Sequence, residues 1–247
     1  MNNTEEFARI LAESKKTVFF GGAGVSTESG LKDYRSKDGI YYTAKNFGKV
    51  PEEILSHSCF SEDTELFYRF YRTFFLEKAE PNLTHRFLAD LEKSGKDITI
   101  VTQNIDRLHQ RAGSRRVIEL HGTSSSYTCP LCGEKYGVEY VINSPENVPK
   151  CSCGGIIKPD VVLYGEQLDE QVINSAVTAI SEADLLIIGG TSLAVYPAAG
   201  FVRFFSGKTK VLENRDPTPY DRMADMVFHC RLGEVFSSLR ELLKELK

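Results

Sequence analysis

Apolar residues recur along this chain with two different periods. Phe7, Ile10 and Leu11 fall on one face of the first sixteen residues, and Leu66, Phe67, Phe70, Tyr71, Phe74 and Phe75 do the same between Asp63 and Glu80. That spacing predicts helices. Further helices are expected over Thr84 to Ser94, Glu170 to Glu182, and Leu232 to Leu246, the last with Val235, Leu239, Leu242, Leu243 and Leu246 on its apolar face. Between them lie short, mostly apolar, strand-like segments of four or five residues: Thr17 to Phe20, ITIVT at 98–102, VIEL at 117–120, VVLY at 161–164, DLLII at 184–188 and the start of a further strand at Thr209 to Leu212. Such runs suit strands buried on both faces, and their alternation with helices argues an α/β protein.

The punctuation supports these boundaries. Asn3 or Thr4 can cap the first helix, which is expected to end near Lys15 and Lys16, where cations suit a helix C-terminus. Pro81, Asn82 and Leu83 interrupt the chain, and Gly95 stops the helix that comes next. Residues 36–60 are rich in Gly, Lys and Ser and have little periodicity before Glu52 to Leu55. A long irregular loop that orders over a ligand is expected there.

Polar and glycine residues gather where the buried runs end. The first run opens into Gly21, Gly22, Ala23 and Gly24 and then a Ser/Thr-rich segment able to start a helix. Glycines there let backbone N–H groups approach a phosphate, although an ordinary strand-to-helix turn has the same composition. Gly22 and Gly24 match the first two glycines of G-x-G-x-x-G, but Thr27 holds the third position, so the fingerprint of a hydride-transferring dehydrogenase is not met. Gln103, Asn104 and Asp106 come after ITIVT; His121 and Gly122 after VIEL; GGTSL at 189–193 after DLLII; Asn214 after the run at 209–212. Open α/β sheets bind ligands outside the carboxyl ends of their strands, so these groups are expected to face one crevice. A lone histidine is more often structural than catalytic, but a strand-end position beside a glycine raises His121 above that level.

Composition narrows the class. With 247 residues, 41% hydrophobic and 26% charged, the chain reads as a globular protein of one or two domains. Thirty basic against thirty-four acidic residues give a net charge of −4, without the footprint of a nucleic-acid or anionic-membrane binder. The first sixteen residues lack the apolar core of a signal peptide, and no run reaches the ~18 apolar residues of a membrane span. A cytoplasmic location, with its six cysteines reduced, is therefore expected.

Four of those cysteines form two close pairs. Cys129 and Cys132 make C-x2-C, Cys151 and Cys153 make C-x-C, and Gly133, Gly154 and Gly155 supply turns after each pair. Four soft ligands so spaced fit one tetrahedral structural zinc with no open position. Free or redox thiols are the alternative, but a redox pair needs only one C-x-x-C. Cys59 and Cys230 are isolated and expected as buried free thiols.

Together these segments resemble the sirtuins of bacterial type, NAD-dependent protein-lysine deacylases. The resemblance is carried by GAGVSTESG at 22–30, TQNIDRLHQRAG at 102–113, His121 with Gly122, the four cysteines, KPDVVLYGE at 158–166 and the GTSL turn at 190–193, in the family's order over essentially the whole chain. It implies a Rossmann-like, doubly wound parallel sheet with a second, smaller zinc-binding domain. The expected division is 1–35, 80–122 and 159–247 for the NAD-binding domain, and 36–79 and 123–158 for the small domain.

The resemblance also implies roles. Gly22, Ala23, Gly24, Thr27, Tyr34, Arg35, Gln103, Asn104, Gly190, Thr191, Ser192 and Asn214 would line the NAD site, with Arg231 near the adenine. Ile105 and Asp106 would hold the nicotinamide carboxamide, Asn104 and Asp106 would orient the reactants, and His121 would be the general base, its imidazole having a reference pKa of ~6.5. Val161, Leu163, Tyr164, Gly165, Glu166, Leu193 and Val195 would grip an acyl-lysine peptide as an added strand. Cys129, Cys132, Cys151 and Cys153 would hold the zinc. The implied products are lysine, nicotinamide and O-acyl-ADP-ribose; the alternative with the same NAD site is a protein ADP-ribosyltransferase. A zinc-ribbon module binding nucleic acid or protein would explain the cysteines but leave both glycine turns and QNID without purpose.

Three departures from the family pattern stand out. L-K-D-Y-R at 31–35 replaces I-P-D-F-R, loosening the start of the cofactor loop and adding the Tyr34 hydroxyl. The second cysteine pair is C-x-C where C-x2-C is commoner. The Tyr-x-x-Arg of sirtuins that take succinyl or malonyl groups is absent from the aromatic helix, where Tyr71 follows Tyr68 and Phe74 follows Tyr71. Neutral acyl groups, acetyl and longer fatty chains, are therefore expected.

Overall fold

The computed structural model describes residues 3–34 and 39–245. In chain order the first half holds α1 (Asn3–Glu13), β1 (Thr17–Gly21), α2 (Ile40–Thr43), α3 (Pro51–Ile54), α4 (His57–Glu62), α5 (Thr64–Phe75), α6 (Leu83–Lys93), β2 (Ile98–Thr102), α7 (Leu108–Ala112) and β3 (Val117–Glu119). The second holds β4 (Gly122–Thr128), β5 (Lys135–Gly137), α8 (Val138–Asn143), β6 (Lys158–Val161), α9 (Glu170–Glu182), β7 (Leu185–Gly189), β8 (Thr209–Glu213), β9 (Met226–Phe228) and α10 (Leu232–Glu245). Among the described residues no helix is long and apolar enough to cross a membrane.

Six strands form one parallel sheet in the order β3-β2-β1-β7-β8-β9. Its two central strands are buried along their whole length, which is why their sequences run apolar without alternation. Phe19, Ile100, Ile187 and Val211 pack on one face against α1, α6 and α10, while Val18, Phe20, Leu186 and Ile188 pack on the other with α9 and the 3-10 turn Ala198–Phe204. The chain winds outward from β1 through β2 to β3, then restarts at β7 and winds the opposite way. β1 and β7 are thus the topological switch point, where such sheets open a crevice at their carboxyl ends. Gly21 and Gly189 end those two strands side by side.

The smaller unit is an antiparallel sheet, β5-β4-β6, packed with α2 to α5. Its core is aromatic: Phe67, Tyr68, Phe70, Tyr71 and Tyr127 are almost completely buried. α5 starts where the carboxylate of Asp63 accepts from Leu66 N, which satisfies an otherwise orphaned donor of the first turn.

Several boundaries differ from the sequence reading for identifiable reasons. α1 ends at Glu13, not at Lys15 and Lys16, because both lysine amides donate to the Asp184 carboxylate at 2.8–3.1 Å. α5 stops at Phe75, short of Glu80; beyond it the Ala79 carbonyl accepts from Arg111. The strand expected over Val161 to Tyr164 is β6, three residues earlier, and it joins the antiparallel sheet, where Pro159 is tolerated on an edge strand. Residues 39–60 of the expected irregular loop are three short helices and a 3-10 turn, with Ile40, Ala44, Ile54, Leu55, Cys59 and Phe60 in the aromatic core. Local periodicity missed them because each contributes only one or two anchoring side chains. Cys59 is buried as expected, whereas Cys230 is only partly covered.

Candidate active site

The site is assembled from the ends of β1, β2, β3, β7 and β8. Gly24 N donates to the Gly190 carbonyl at 2.8 Å, so the turns leaving β1 and β7 lie against each other. A Cβ on Gly24 would come within 2.8 Å of the Gly190 backbone, and Gly190 itself has φ +58°, the left-handed region that favours glycine. Both glycines are therefore required by close approach of backbone to backbone. The segment after Gly22, expected to be able to start a helix, is a 3-10 helix, Ala23–Ser29.

That turn is wired to the end of β2 through a network of buried polar groups. Asn104 Nδ2 donates to the Gly22 carbonyl at 3.0 Å and to Ser26 Oγ at 3.1 Å. Ser26 Oγ in turn donates to Asp106 Oδ2 at 2.6 Å, and the other Asp106 oxygen accepts from Leu108 N, the first amide of α7, at 2.9 Å. Burial pushes the Asp106 carboxyl above its usual range, against the pull of these donors. Arg107, the N-cap of α7, sits between them in the left-handed conformation, φ 59°, which turns the chain back so that Leu108 N meets the Asp106 carboxylate.

His121 is oriented by the same strand end. Its Nδ1 lies 2.9 Å from the Gln103 carbonyl, which can only accept, so the proton is on Nδ1 and Nε2 carries the lone pair. Burial lowers its pKa, with the Gln103 carbonyl opposing. The imidazole is thus neutral near pH 7 and poised to accept a proton at Nε2. Gln103 Nε2 donates to Thr191 Oγ1 at 3.1 Å, tying the β2 exit to the β7 exit.

These groups share one cavity of about 1040 Å³. Of the residues expected there, Gly22, Ala23, Gly24, Tyr34, Gln103, Asn104, Ile105, Asp106, His121, Gly190, Thr191, Ser192 and Asn214 line it. So do Val161, Leu163, Tyr164, Gly165, Glu166 and Val195. Three others are not among the lining residues: the Thr27 hydroxyl turns back to the Gly24 carbonyl at 2.9 Å, Leu193 is buried, and Arg231 is exposed just before α10. Arg35 falls outside the described residues. Ser26, which joins Asn104 to Asp106, was not singled out from sequence; a small hydroxyl residue two positions after the second glycine was its only signal.

The Glu166 side chain is engaged within the protein. Its carboxylate accepts from His57 Nδ1 at 3.0 Å, Lys158 Nζ at 3.1 Å and Leu163 N at 2.9 Å. It stiffens the segment that leaves β6, whose Tyr164 N donates to the Leu55 carbonyl at 3.0 Å. At another part of the cavity Tyr71, Phe74, Phe75 and Leu76 supply an apolar wall. Arg72 points away from it, donating to the Asn147 carbonyl at 2.8 Å.

The four cysteine Sγ atoms of 129, 132, 151 and 153 all lie within 4.8 Å of one another, with closest pairs at 3.5 Å. Zinc–sulfur bonds of 2.3 Å in a tetrahedron require S···S edges of about 3.8 Å, so this set fits a closed zinc centre. The Tyr136 hydroxyl donates to Cys151 Sγ at 3.0 Å and pulls that thiol down to about 6, favouring the ligating thiolate. The C-x-C spacing does not prevent the four sulfurs from converging.

A switch-point crevice in a parallel sheet, glycine turns at both exits and a separate thiolate centre define a dinucleotide-binding α/β protein with a structural metal. The Sir2 family model matches residues 22–197. A protein of Clostridium acetobutylicum described as an NAD-dependent protein deacetylase is 52% identical over 241 residues, covering 97% of this chain and 98% of that one. One of Cutibacterium acnes with the same description is 52% identical over 237 residues, covering 96% and 97%. A solved structure described as "Sir2-p53 peptide-NAD+" is similar with TM-score 0.85 at 39% identity, covering 97% of both chains. Another, "Sir2 bound to acetylated peptide", has TM-score 0.84 at 37% identity, covering 98% of both. The chain belongs to the Sir2 family of NAD-dependent protein deacetylases. These relatives favour deacetylation over the ADP-ribosyltransferase alternative.

Proposed function

We propose that the cavity takes NAD along the β1, β2, β7 and β8 exits and an acyl-lysine peptide between the segments 161–166 and 193–195, and that neutral acyl groups are preferred. The six-stranded unit would form the NAD-binding domain and the cysteine-bearing unit the small domain. One observation carries the reading: His121, held by the Gln103 carbonyl, and Asp106, held in the Gly22–Asn104–Ser26–Asp106 network, line one cavity.

The residues suit the group they would hold. Gly22, Ala23, Gly24 and Gly190 line the cavity with no side chain larger than a methyl group, so a phosphate ester could approach the backbone of both turns. Bound NAD supplies an electrophilic ribose carbon with nicotinamide as its leaving group. Asp106 and Ile105 would receive the nicotinamide carboxamide, and Asn104 would fix the ribose side of the cleft. His121 Nε2 would take a proton from a hydroxyl presented at the cavity wall, its Nδ1–H held by Gln103 so that the ring keeps the basic tautomer. The strands' exits hold these groups at fixed separations, and the apolar wall excludes water, which is most of what such a transfer needs.

Because His121 must be neutral to act, deacetylation should persist to lower pH than an unperturbed imidazole allows. Its pKa is lowered, so the acidic limb of the kcat profile is expected below ~6.5. A limb centred above that value would mean that another group accepts the proton.

The acyl preference rests on the apolar wall and on Arg72 being turned away. Acetyl- and myristoyl-lysine peptides are expected to be processed at least tenfold better, by kcat/KM, than the succinyl-lysine peptide. An unpaired buried carboxylate costs more than the ~1.4 kcal/mol that tenfold represents. Succinyl equal to or ahead of acetyl would overturn this assignment.

A further inference from the structure

The loops that leave β7 and β8 reach the cavity from neighbouring strands, and on the proposed reading they serve different ligands. Val195 belongs to the peptide side and Asn214 to the nucleotide side. At their bases the loops are joined by Gly190 N donating to the Glu213 carbonyl at 2.9 Å. At their tips a second connection spans the rim: the hydroxyls of Tyr196 and Tyr220 lie 2.7 Å apart.

The two partners are held very differently. Tyr220 packs its ring against the apolar cluster beneath the sheet, and the turn it sits in is anchored on both sides. Asp221 accepts from Thr218 N at 3.0 Å, from Thr218 Oγ1 at 2.8 Å and from His229 Nε2 at 3.1 Å. His229 Nδ1 lies 3.2 Å from the Asn214 carbonyl. Tyr196, by contrast, is 61% exposed, beside Val195 on the cavity wall. The better-held hydroxyl of the nucleotide-side loop therefore meets a more exposed side chain of the peptide-side loop.

We propose that the Tyr196–Tyr220 pair is a strap across the rim, and that Tyr220 is a positioning residue which transmits order from the nucleotide-side loop to the peptide-gripping segment. Ordering of residues 214–221 by a bound nucleotide then costs the peptide less when it binds, and by linkage the peptide returns the same factor to the nucleotide. The strap touches neither ligand's reacting atoms. It rests on the reading that this cavity takes NAD and a peptide.

The test uses ADP-ribose, which carries the nucleotide part without a leaving group, and an acetyl-lysine peptide. Calorimetry gives the peptide affinity of the full chain with and without saturating ADP-ribose. In the unaltered protein the nucleotide is expected to tighten peptide binding. In Tyr220→Phe that enhancement should fall about threefold, the effect of one net hydrogen bond, while peptide affinity without nucleotide is unchanged. Tyr196→Phe should give the same loss and the double variant no more than either, because both remove one shared bond. Both substitutions keep the ring, and an unchanged melting temperature reports an intact fold. An unchanged enhancement, additive losses, a weakening equal in both conditions, or no enhancement in the unaltered protein would overturn the strap. Failure of the unaltered protein to bind ADP-ribose would instead overturn the nucleotide reading beneath it.

Discussion

Replacing His121 with alanine is expected to lower kcat for deacetylation by about 10²–10⁴-fold, the usual contribution of a positioned general base. NAD affinity should change little, because the groups proposed to hold the nucleotide come from the exits of β1, β2, β7 and β8 and none depends on the imidazole. His121 donates only to the Gln103 carbonyl, so its removal frees one acceptor at the wall and leaves the Gly22–Asn104–Ser26–Asp106 network intact. Steady-state kinetics with an acetyl-lysine peptide and calorimetry with NAD separate the two effects. Retained turnover would place the proton acceptor elsewhere; lost NAD binding would mean that the ring holds the site together.

The second large effect concerns the thiolate centre. Removing zinc with a strong chelator, or replacing Cys129 and Cys151 together by serine, is expected to unfold the small unit. The binding free energy of a structural zinc, ~10–16 kcal/mol, is as large as the whole stability of a typical domain, ~5–15 kcal/mol. Cys129 and Cys151 are both buried in the aromatic core beside Tyr127 and Ile157, so the loss would spread through the packing that positions α5 and the apolar wall. Metal analysis should fall from one zinc per chain to none, and amide exchange should rise across 123–158 before it rises in the parallel sheet. A metal-free double variant with unchanged protection of Tyr127 would show that the sulfurs are not what holds this unit.

The parallel sheet was the most legible part of the fold. β1 and β7 are buried along their whole length and carry nearly unbroken apolar runs, β2 and β8 are buried over most of theirs, and all four end next to polar or glycine residues that meet in the cavity. The antiparallel unit was far less so. β4 reads GTSSSYT and buries only Tyr127; its strand identity comes from pairing with β5 and β6, which no local pattern reveals. α7 is five residues long, its first amide taken by the Asp106 carboxylate, while α2, α3 and α4 are held by contacts with the aromatic core. Short elements of this kind take their stability from tertiary packing.

The same distinction separates the site residues. Asn104, Asp106 and His121 sit at strand exits, and strand exits can be located from the apolar runs that precede them. Ser26 and Glu166 act through other side chains, and their partners are distant along the chain: Ser26 meets Asp106 eighty residues away, and Glu166 meets His57 at a separation of 109. Arg231 follows β9, the outermost strand, yet the next two residues return to the switch point: Leu232 packs beside Gly189 and Gly233 N donates to the Glu28 carboxylate at 2.9 Å.

The most direct test of the account is product analysis by mass spectrometry after incubation of the chain with NAD and an acetyl-lysine peptide. The convergence of His121, Asp106 and the Gly22 turn on one cavity predicts that each acetyl group lost from lysine appears on ADP-ribose, with one nicotinamide released. Free acetate without nicotinamide release, or ADP-ribose attached to the peptide with the acetyl group still on lysine, would contradict it.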